Sequence, residues 1–420
     1  NSFFYPSAGL SFIPTKAFES LKGDVLNYAK VSANYVKVGN DYAGPYDINL
    51  TLNQAAGYPY NAGNSFVYPS LITDPLLKPE FTESLEFGVS LGFFKDRITL
   101  DGAYYNGSTT DLVTNIATSA ASGLSRTIIN IGQMDNWGAE IDLGITPVKT
   151  EDFQWDVNFG WSKSYSEVVK ISDQFDEVSL TTGGFAQVFA VEGEQFPVLK
   201  GSAYERDEQG RVIIDATSGR PVQTTNPKNL GSTTPDYILN FNSSLRYKGF
   251  TLAATLDYRT GHVFYSSQRE SLTWSGHLVE SAQGDRGAFI FPNSAVANPN
   301  GEGFVENTSV PSGGTTAGDF IGFYSSMQQI GENHVLDATA LKLRELSLRY
   351  DINKKYLENT FIDAFSISAV GRNLLTLLPE ENRGYADPES SFTDGNGQGI
   401  STLGQYPPTR SIGMSINVTF

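Results

Sequence analysis

Cysteine is absent from the 420 residues, which removes disulfide frameworks, thiolate nucleophiles and Cys-based metal sites together. The absence also suits a chain that crosses an oxidising periplasm unfolded. Histidine occurs only at His262, His277 and His334, a spacing that holds no zinc. There is no G-x-S-x-G elbow and no Walker A loop, so esterase-type and nucleotide chemistry lack their usual frameworks and a catalytic role is not expected. Cations are scarce: 29 Lys and Arg against 46 Asp and Glu leave a net charge of −17. That balance argues against a nucleic-acid partner, whose phosphates need clustered Lys and Arg. Nor is there any run of roughly 20 apolar residues, as a spanning helix requires. A membrane role would therefore rest on strands, whose signature is alternation. The sequence opens Asn1-Ser2-Phe3-Phe4-Tyr5-Pro6, without initiator Met or signal-peptide features. Such a start is expected of a processed chain or of a piece of a longer one.

What is abundant is the material of strands and turns, with 21 Tyr, 27 Phe and 41 Gly. Period-two alternation is the clearest signal. Leu85, Phe87, Val89, Leu91 and Phe93 interleave with Ser84, Glu86, Gly88, Ser90 and Gly92. Phe153, Trp155, Val157, Phe159 and Trp161 do the same against Gln154, Asp156, Asn158 and Gly160. At the C-terminus Ile412, Met414, Ile416, Val418 and Phe420 alternate with Ser411, Gly413, Ser415, Asn417 and Thr419. Each such strand has one apolar face and one polar or tiny face. The pattern predicts eleven strands, at about 3–14, 28–39, 82–94, 97–107, 136–147, 153–169, 236–248, 250–264, 340–352, 362–373 and 408–420. Between Leu343 and Leu346 the phase slips, predicting a bulge near Arg344.

The connections alternate in length. Thr15–Asn27, Phe94–Arg97, Pro147–Asp152, Lys248-Gly249 and Asn353–Phe361 are the short set, the first of them stretched. Asn40–Phe81, Gly107–Asp135, Ser172–Pro235, Tyr265–Thr339 and Leu374–Pro407 are long. A meander with every short turn at one end is the plan of a transmembrane β-barrel: short periplasmic turns and long extracellular loops. A strand of roughly 10 tilted residues also spans the apolar belt. The fold class expected is thus all-β, an antiparallel transmembrane barrel in the outer membrane. Its apolar residues, Leu85 to Phe93 and Ile412 to Phe420 among them, face lipid, and Phe94, Phe153, Trp155, Tyr247 and Phe250 form an interfacial girdle. By parity the first and eleventh strands run the same way, and single-chain bacterial barrels have an even strand count. The 420 residues are therefore expected to be one portion of a larger barrel. A soluble all-β sugar-binding module is the competing reading.

Candidate binding residues are the aromatics of the long loops, Phe185, Tyr204, Phe289, Phe291, Phe323 and Tyr324. Exposed, they would stack on sugars or peptide side chains; packed, they would hold a loop against its neighbour. Asp387, Glu389 and Asp394 offer oxygen ligands of the kind Ca²⁺ takes, without EF-hand spacing, and solvated loop charge is the preferred account. No other cofactor is called for. Adjacent carboxylates such as Asp207/Glu208 and Glu380/Glu381 do not straddle a sugar ring.

Several segments, in order along the chain, resemble the SusC/RagA family of TonB-dependent outer-membrane transporters of Bacteroidetes. They are Tyr5-Pro6-Ser7-Ala8-Gly9, Leu77-Lys78-Pro79-Glu80 before Leu85-Glu86-Phe87-Gly88, Asn130-Ile131-Gly132-Gln133-Met134-Asp135-Asn136-Trp137-Gly138-Ala139-Glu140, Leu341 to Tyr350, Gly371-Arg372-Asn373-Leu374 and Pro408-Thr409-Arg410. The resemblance implies a 22-stranded barrel of which these eleven strands are the C-terminal half. It also implies a plug, a TonB-contacting segment upstream of Asn1, and a SusD-like lipoprotein as partner. The function implied is import of an oligosaccharide or oligopeptide. A siderophore or vitamin receptor, or a barrel scaffold for adhesion or secretion, stands as the alternative.

Overall fold

In the computed structural model, which describes residues 4–41, 44, 48–117, 121, 123, 124, 126–173, 175–181, 184–391 and 395–420, the alternating segments become one antiparallel meander of eleven strands, each paired with its neighbour in sequence. The strands are β1 (Ser7–Phe12), β2 (Leu26–Asn40), β3 (Glu80–Phe93), β4 (Ile98–Ala117), β5 (Arg126–Lys149), β6 (Phe153–Lys170), β7 (Tyr237–Tyr247), β8 (Phe250–Thr260), β9 (Ala340–Asp351), β10 (Ala364–Leu377) and β11 (Ser411–Thr419). The sheet is open, with β1 and β11 at its two ends, and Leu71–Thr73 adds a short parallel pairing to β5.

Register sorts the side chains into two faces across the whole sheet. One row, read from β2 to β10, is Ala29, Leu91, Leu100, Leu143, Phe159, Phe241, Leu256, Leu343 and Leu375. The adjoining row is Lys30, Ser90, Asp101, Asp142, Gly160, Asn240, Asp257, Lys342 and Thr376. Because the side-chain period is two, a one-residue slip anywhere would mix these rows. The apolar face is left uncovered: Leu85, Phe87 and Val89 are exposed, as are Ile412, Met414, Ile416, Val418 and Phe420, while Leu91 and Phe93 are half-buried.

The expected bulge is present. Thr255 pairs with Glu345 and Leu256 with Leu343, so Arg344 has no partner on β8. The extra residue returns Leu343 and Leu341 to the face of Leu346 and Leu348. On β10 the matching irregularity takes up Asn373, which is left-handed at φ 52°, and Leu374.

Short turns follow local chemistry. Lys248 (φ 43°) and Gly249 (φ 89°) form a two-residue hairpin turn in which both positions are left-handed. Phe153, Tyr247, Phe250 and Tyr350 are successive partners at that end of β6 to β9, with Phe250 and Tyr350 ring centroids 4.4 Å apart. Phe361 stacks on Phe420 at 5.7 Å.

Several expectations are corrected. The first strand is shorter than 3–14, and Phe3 lies outside the described residues. Gly107–Asp135 is not a loop. β4 and β5 continue as a paired ribbon to Ala117 and Arg126, with Asp111 (φ 53°) facing Gly132 (φ 33°) across the ladder. Two left-handed residues broke the visible alternation without breaking the pairing. β8 stops at Thr260, because Gly261 (φ 80°) turns Val263–Ser266 away into the loops. β10 runs on to Leu377, whereas β11 begins only at Ser411, since Pro407 and Pro408 have no N–H to give a ladder.

Nor are the long connections structureless. Segment 171–236 builds a four-stranded sheet from Glu177–Ser179, Ala186–Val191, Val198–Gly201 and Lys228–Ser232. Segment 261–339 carries helix α1 (Ser267–Ser275), capped by Ser266, and helix α2 (Ala317–Gln328), whose Thr316 and Asp319 form a capping box.

Two outcomes test this description. Val89→Arg places a charge on the uncovered apolar face at mid-strand and should cost about 2–4 kcal/mol in bilayers, against little for Ser90→Arg; equal refolding yields in liposomes would refute the face assignment. A Cβ on Gly132 would stand 1.6 Å from the Lys170 carbonyl oxygen. Gly132→Ala should therefore lower stability by roughly 2–4 kcal/mol in a detergent melt. Gly23→Ala, with open space around it, is the control.

Candidate functional site

Three long connections interlock at one end of the sheet. Val212–Ile213 of segment 171–236 pairs in parallel with Ser294 and Ala295 of segment 261–339. Val263–Ser266 pairs with Val335–Asp337 and, in parallel, with Ile400–Ser401 of segment 378–410. The shared core is largely apolar: Ala186, Val188, Leu199, Tyr265 and Ile400 pack together, with Val188 and Tyr265 fully buried. Tyr265 donates its hydroxyl to Glu270 Oε2 at 2.7 Å, and burial with that carboxylate pushes its phenol well up from the ordinary value. His334 is fully buried, and burial brings its pKa down to about 4, so the imidazole is neutral and gives Nε2–H to the Gln328 carbonyl at 2.9 Å.

The predicted loop aromatics divide. Tyr204, Phe289, Phe291, Phe323 and Tyr324 form one cluster, with centroid separations of 5.1 to 6.5 Å. Phe323 and Tyr324 are 2% and 5% exposed, so of the two readings these rings take the packed one. Tyr204 on Phe291, at 6.0 Å, joins segment 171–236 to segment 261–339, as do Tyr204 Oη to Asn333 Oδ1 at 2.7 Å and Arg206 to Glu332 at 2.7 Å. Phe185 stands apart, lining a cavity of about 290 Å³ with Phe189, Lys200 and Ser202.

A second arrangement lies on the polar face, where segment 378–410 meets β8 to β10. The carboxylates expected to be solvated or Ca²⁺-binding are instead held by cations. Lys342 Nζ lies 2.6 Å from Asp387 Oδ1 and 2.7 Å from Glu389 Oε2. Arg344, the bulged residue, pairs with Glu389 and reaches Asp257 at 2.7 Å, and Arg259 reaches Glu389 at 3.3 Å. Burial alone would raise the Glu389 pKa, but Arg344, Lys342 and Arg259 outweigh it and hold the carboxyl at about 2. Asp394 lies outside the described residues. Among the described residues no three His, Asp or Glu side chains come together as metal ligands.

Beside this cluster runs a groove in two compartments. The polar one, about 320 Å³, is lined by Lys342, Arg344, Asn373 and Arg410; the other, about 410 Å³, by Gln268, Tyr385, Gln405 and Tyr406. Thr376, Asp387, Pro407 and Pro408 belong to both. No periodicity marked these residues, because the groove is made by a loop folding back onto β10. Pro407-Pro408 next to Arg410 was the one local signal.

The family model described as TonB dependent receptor-like, beta-barrel matches residues 1–374. TonB-dependent receptor P3 of Formosa agariphila is 25% identical, over 99% of this chain and 42% of its own length. TonB-dependent receptor SusC of Bacteroides thetaiotaomicron is 23% identical, over 77% of this chain and 31% of its own. The structure of the RagAB peptide transporter superposes with a TM-score of 0.75 at 19% identity, over 99% of this chain and 43% of that one. The chain thus spans about two-fifths of the length of the first of these relatives.

The Glu389 ion pairs give a pH-dependent expectation. A carboxylate held at about 2 lends its full stabilisation above its ordinary value near 4.5 and loses it as pH falls toward 2. Hydrogen exchange of segment 378–410 should stay slow from pH 7 to 5 and rise below about 4. Glu389→Gln should loosen the segment at neutral pH by about 2 kcal/mol and flatten that acid response.

Proposed function

The chain belongs to the TonB dependent receptor-like β-barrel family, an outer-membrane protein, and from this we propose that it forms part of an importer for an oligosaccharide or oligopeptide too large for simple diffusion. The observation that carries the reading is the sorting of the meander: a continuous polar face to line a lumen, an uncovered apolar face for lipid, and interlocked connections over one end to capture a solute. Membership of a TonB-dependent receptor family, together with a polar face that carries grooves, supports transport. In this reading a SusD-like surface lipoprotein closes over the loops. TonB acts through a plug contributed by parts of the protein outside these 420 residues.

The expected outcome is that deleting the gene abolishes uptake of a fluorescent oligosaccharide or oligopeptide pool by whole cells, and that the full-length gene restores it. Affinity purification of the full-length protein should bring a surface lipoprotein with it. Unchanged uptake of both pools, with lost uptake of a ferric chelate or a vitamin, would replace this reading by that of a siderophore or vitamin receptor.

A further inference from the structure

The groove beside segment 378–410 contains an unfinished strand ladder. β10 is paired on the β9 side as far as Leu377, but on its other side β11 reaches only to Arg372, opposite Ser411. Among the described residues the backbone of that second edge has no partner from Asn373 to Leu377, and the passing chain touches it only where Asn373 Nδ2 donates to the Thr409 carbonyl at 3.3 Å. The chain running past it carries Pro407 and Pro408, which cannot donate to a ladder, and the groove opens over this stretch, with Thr376 and Leu378 on one side and Gln405 to Pro408 on the other. An unpaired edge is a template for an added strand.

The walls complete the template. Tyr406 is 90% exposed beside the edge, and Oε1 of Gln405 is shut off from solvent without a hydrogen-bond partner among the described residues. Lys342, Arg344 and Arg259 are matched by Asp257, Asp387 and Glu389. Arg410 lines the same compartment and enters none of these pairs, so one positive charge is left over.

Resting on the import reading, we propose that this groove binds an oligopeptide as an added antiparallel strand on the Asn373–Leu377 edge, with its C-terminal carboxylate on Arg410. Direction and charge agree: a chain antiparallel to β10 runs from the Leu377 end toward Asn373, so its C-terminus arrives where Arg410 stands, just before Ser411. An edge of five residues, roughly 13 Å from its first Cα to its last, fits a short extended peptide. A glycan offers no alternating N–H and C=O groups to finish the ladder. The guanidinium fork matches a carboxylate bidentately.

The test uses the full-length protein in detergent and four probes: a fluorescein-labelled pentapeptide, its C-terminal amide, its backbone N-methylated form, and maltopentaose. The free acid should bind about ten-fold or more tighter than the amide, N-methylation should abolish binding, and maltopentaose should not compete. Arg410→Gln, checked for heat-modifiable migration, should erase the acid preference and leave the amide's affinity as it was. Tyr406→Ala should weaken acid and amide alike. Equal affinity for acid and amide, retention of the preference in Arg410→Gln, stronger binding of maltopentaose, or no peptide binding would each overturn the proposal. Binding in detergent needs no energy coupling. If it fails while gene deletion still stops uptake, this site falls and import stands; if it holds while deletion leaves uptake intact, the import reading falls instead.

Discussion

The hydrogen-bonded ladder is the constraint from which the rest of this molecule follows. In hydrocarbon an unpaired N–H or C=O costs several kcal/mol, so a spanning sheet has to pair continuously and keep its register. Nine consecutive strands hold a row of apolar side chains next to a row of polar ones without one exchange between them. Where the sequence of β9 falls out of phase, a single bulged residue restores the alternation.

That bulge also serves the polar face. A residue with no opposite number on β8 is free to turn, and Arg344 uses the freedom to bridge Asp257 of the wall and Glu389 of the returning loop. Correction of register and anchoring of segment 378–410 are thus two consequences of one inserted residue. Three cations, Arg259, Lys342 and Arg344, against three carboxylates, Asp257, Asp387 and Glu389, make the junction nearly neutral. A partly buried junction can hold charge only on that condition.

Segments as long as these connections stay ordered by sharing what none has alone. Each contributes strands too short to stand by themselves, and pairing across segments supplies the missing partners. The aromatic cluster around Phe323 then buries the apolar area that a single loop would expose. In the reading proposed above, such rigidity keeps a groove open for a solute instead of letting the loops collapse into it.

The sequence by itself determined the eleven strands, their antiparallel order, the bulge at Arg344 and, the β4–β5 connection excepted, the sorting of short and long connections. All of these rest on local alternation, and a period of two survives being read one strand at a time. Tertiary structure decided what local patterns cannot carry. The extension of β4 and β5 was hidden by Asp111 and Gly132, whose left-handed backbones interrupt alternation but not pairing. The burial of Phe323 and Tyr324 depended on Phe289, Phe291 and Glu280, which lie too far along the chain for helical spacing to bring them together. Asp387 and Glu389 read as solvated because nothing in their neighbourhood along the chain announces Lys342 and Arg344. The groove beside β10 exists only because one loop returns across a strand whose edge two prolines leave bare, and a contact of that kind is written in space before it is legible in order.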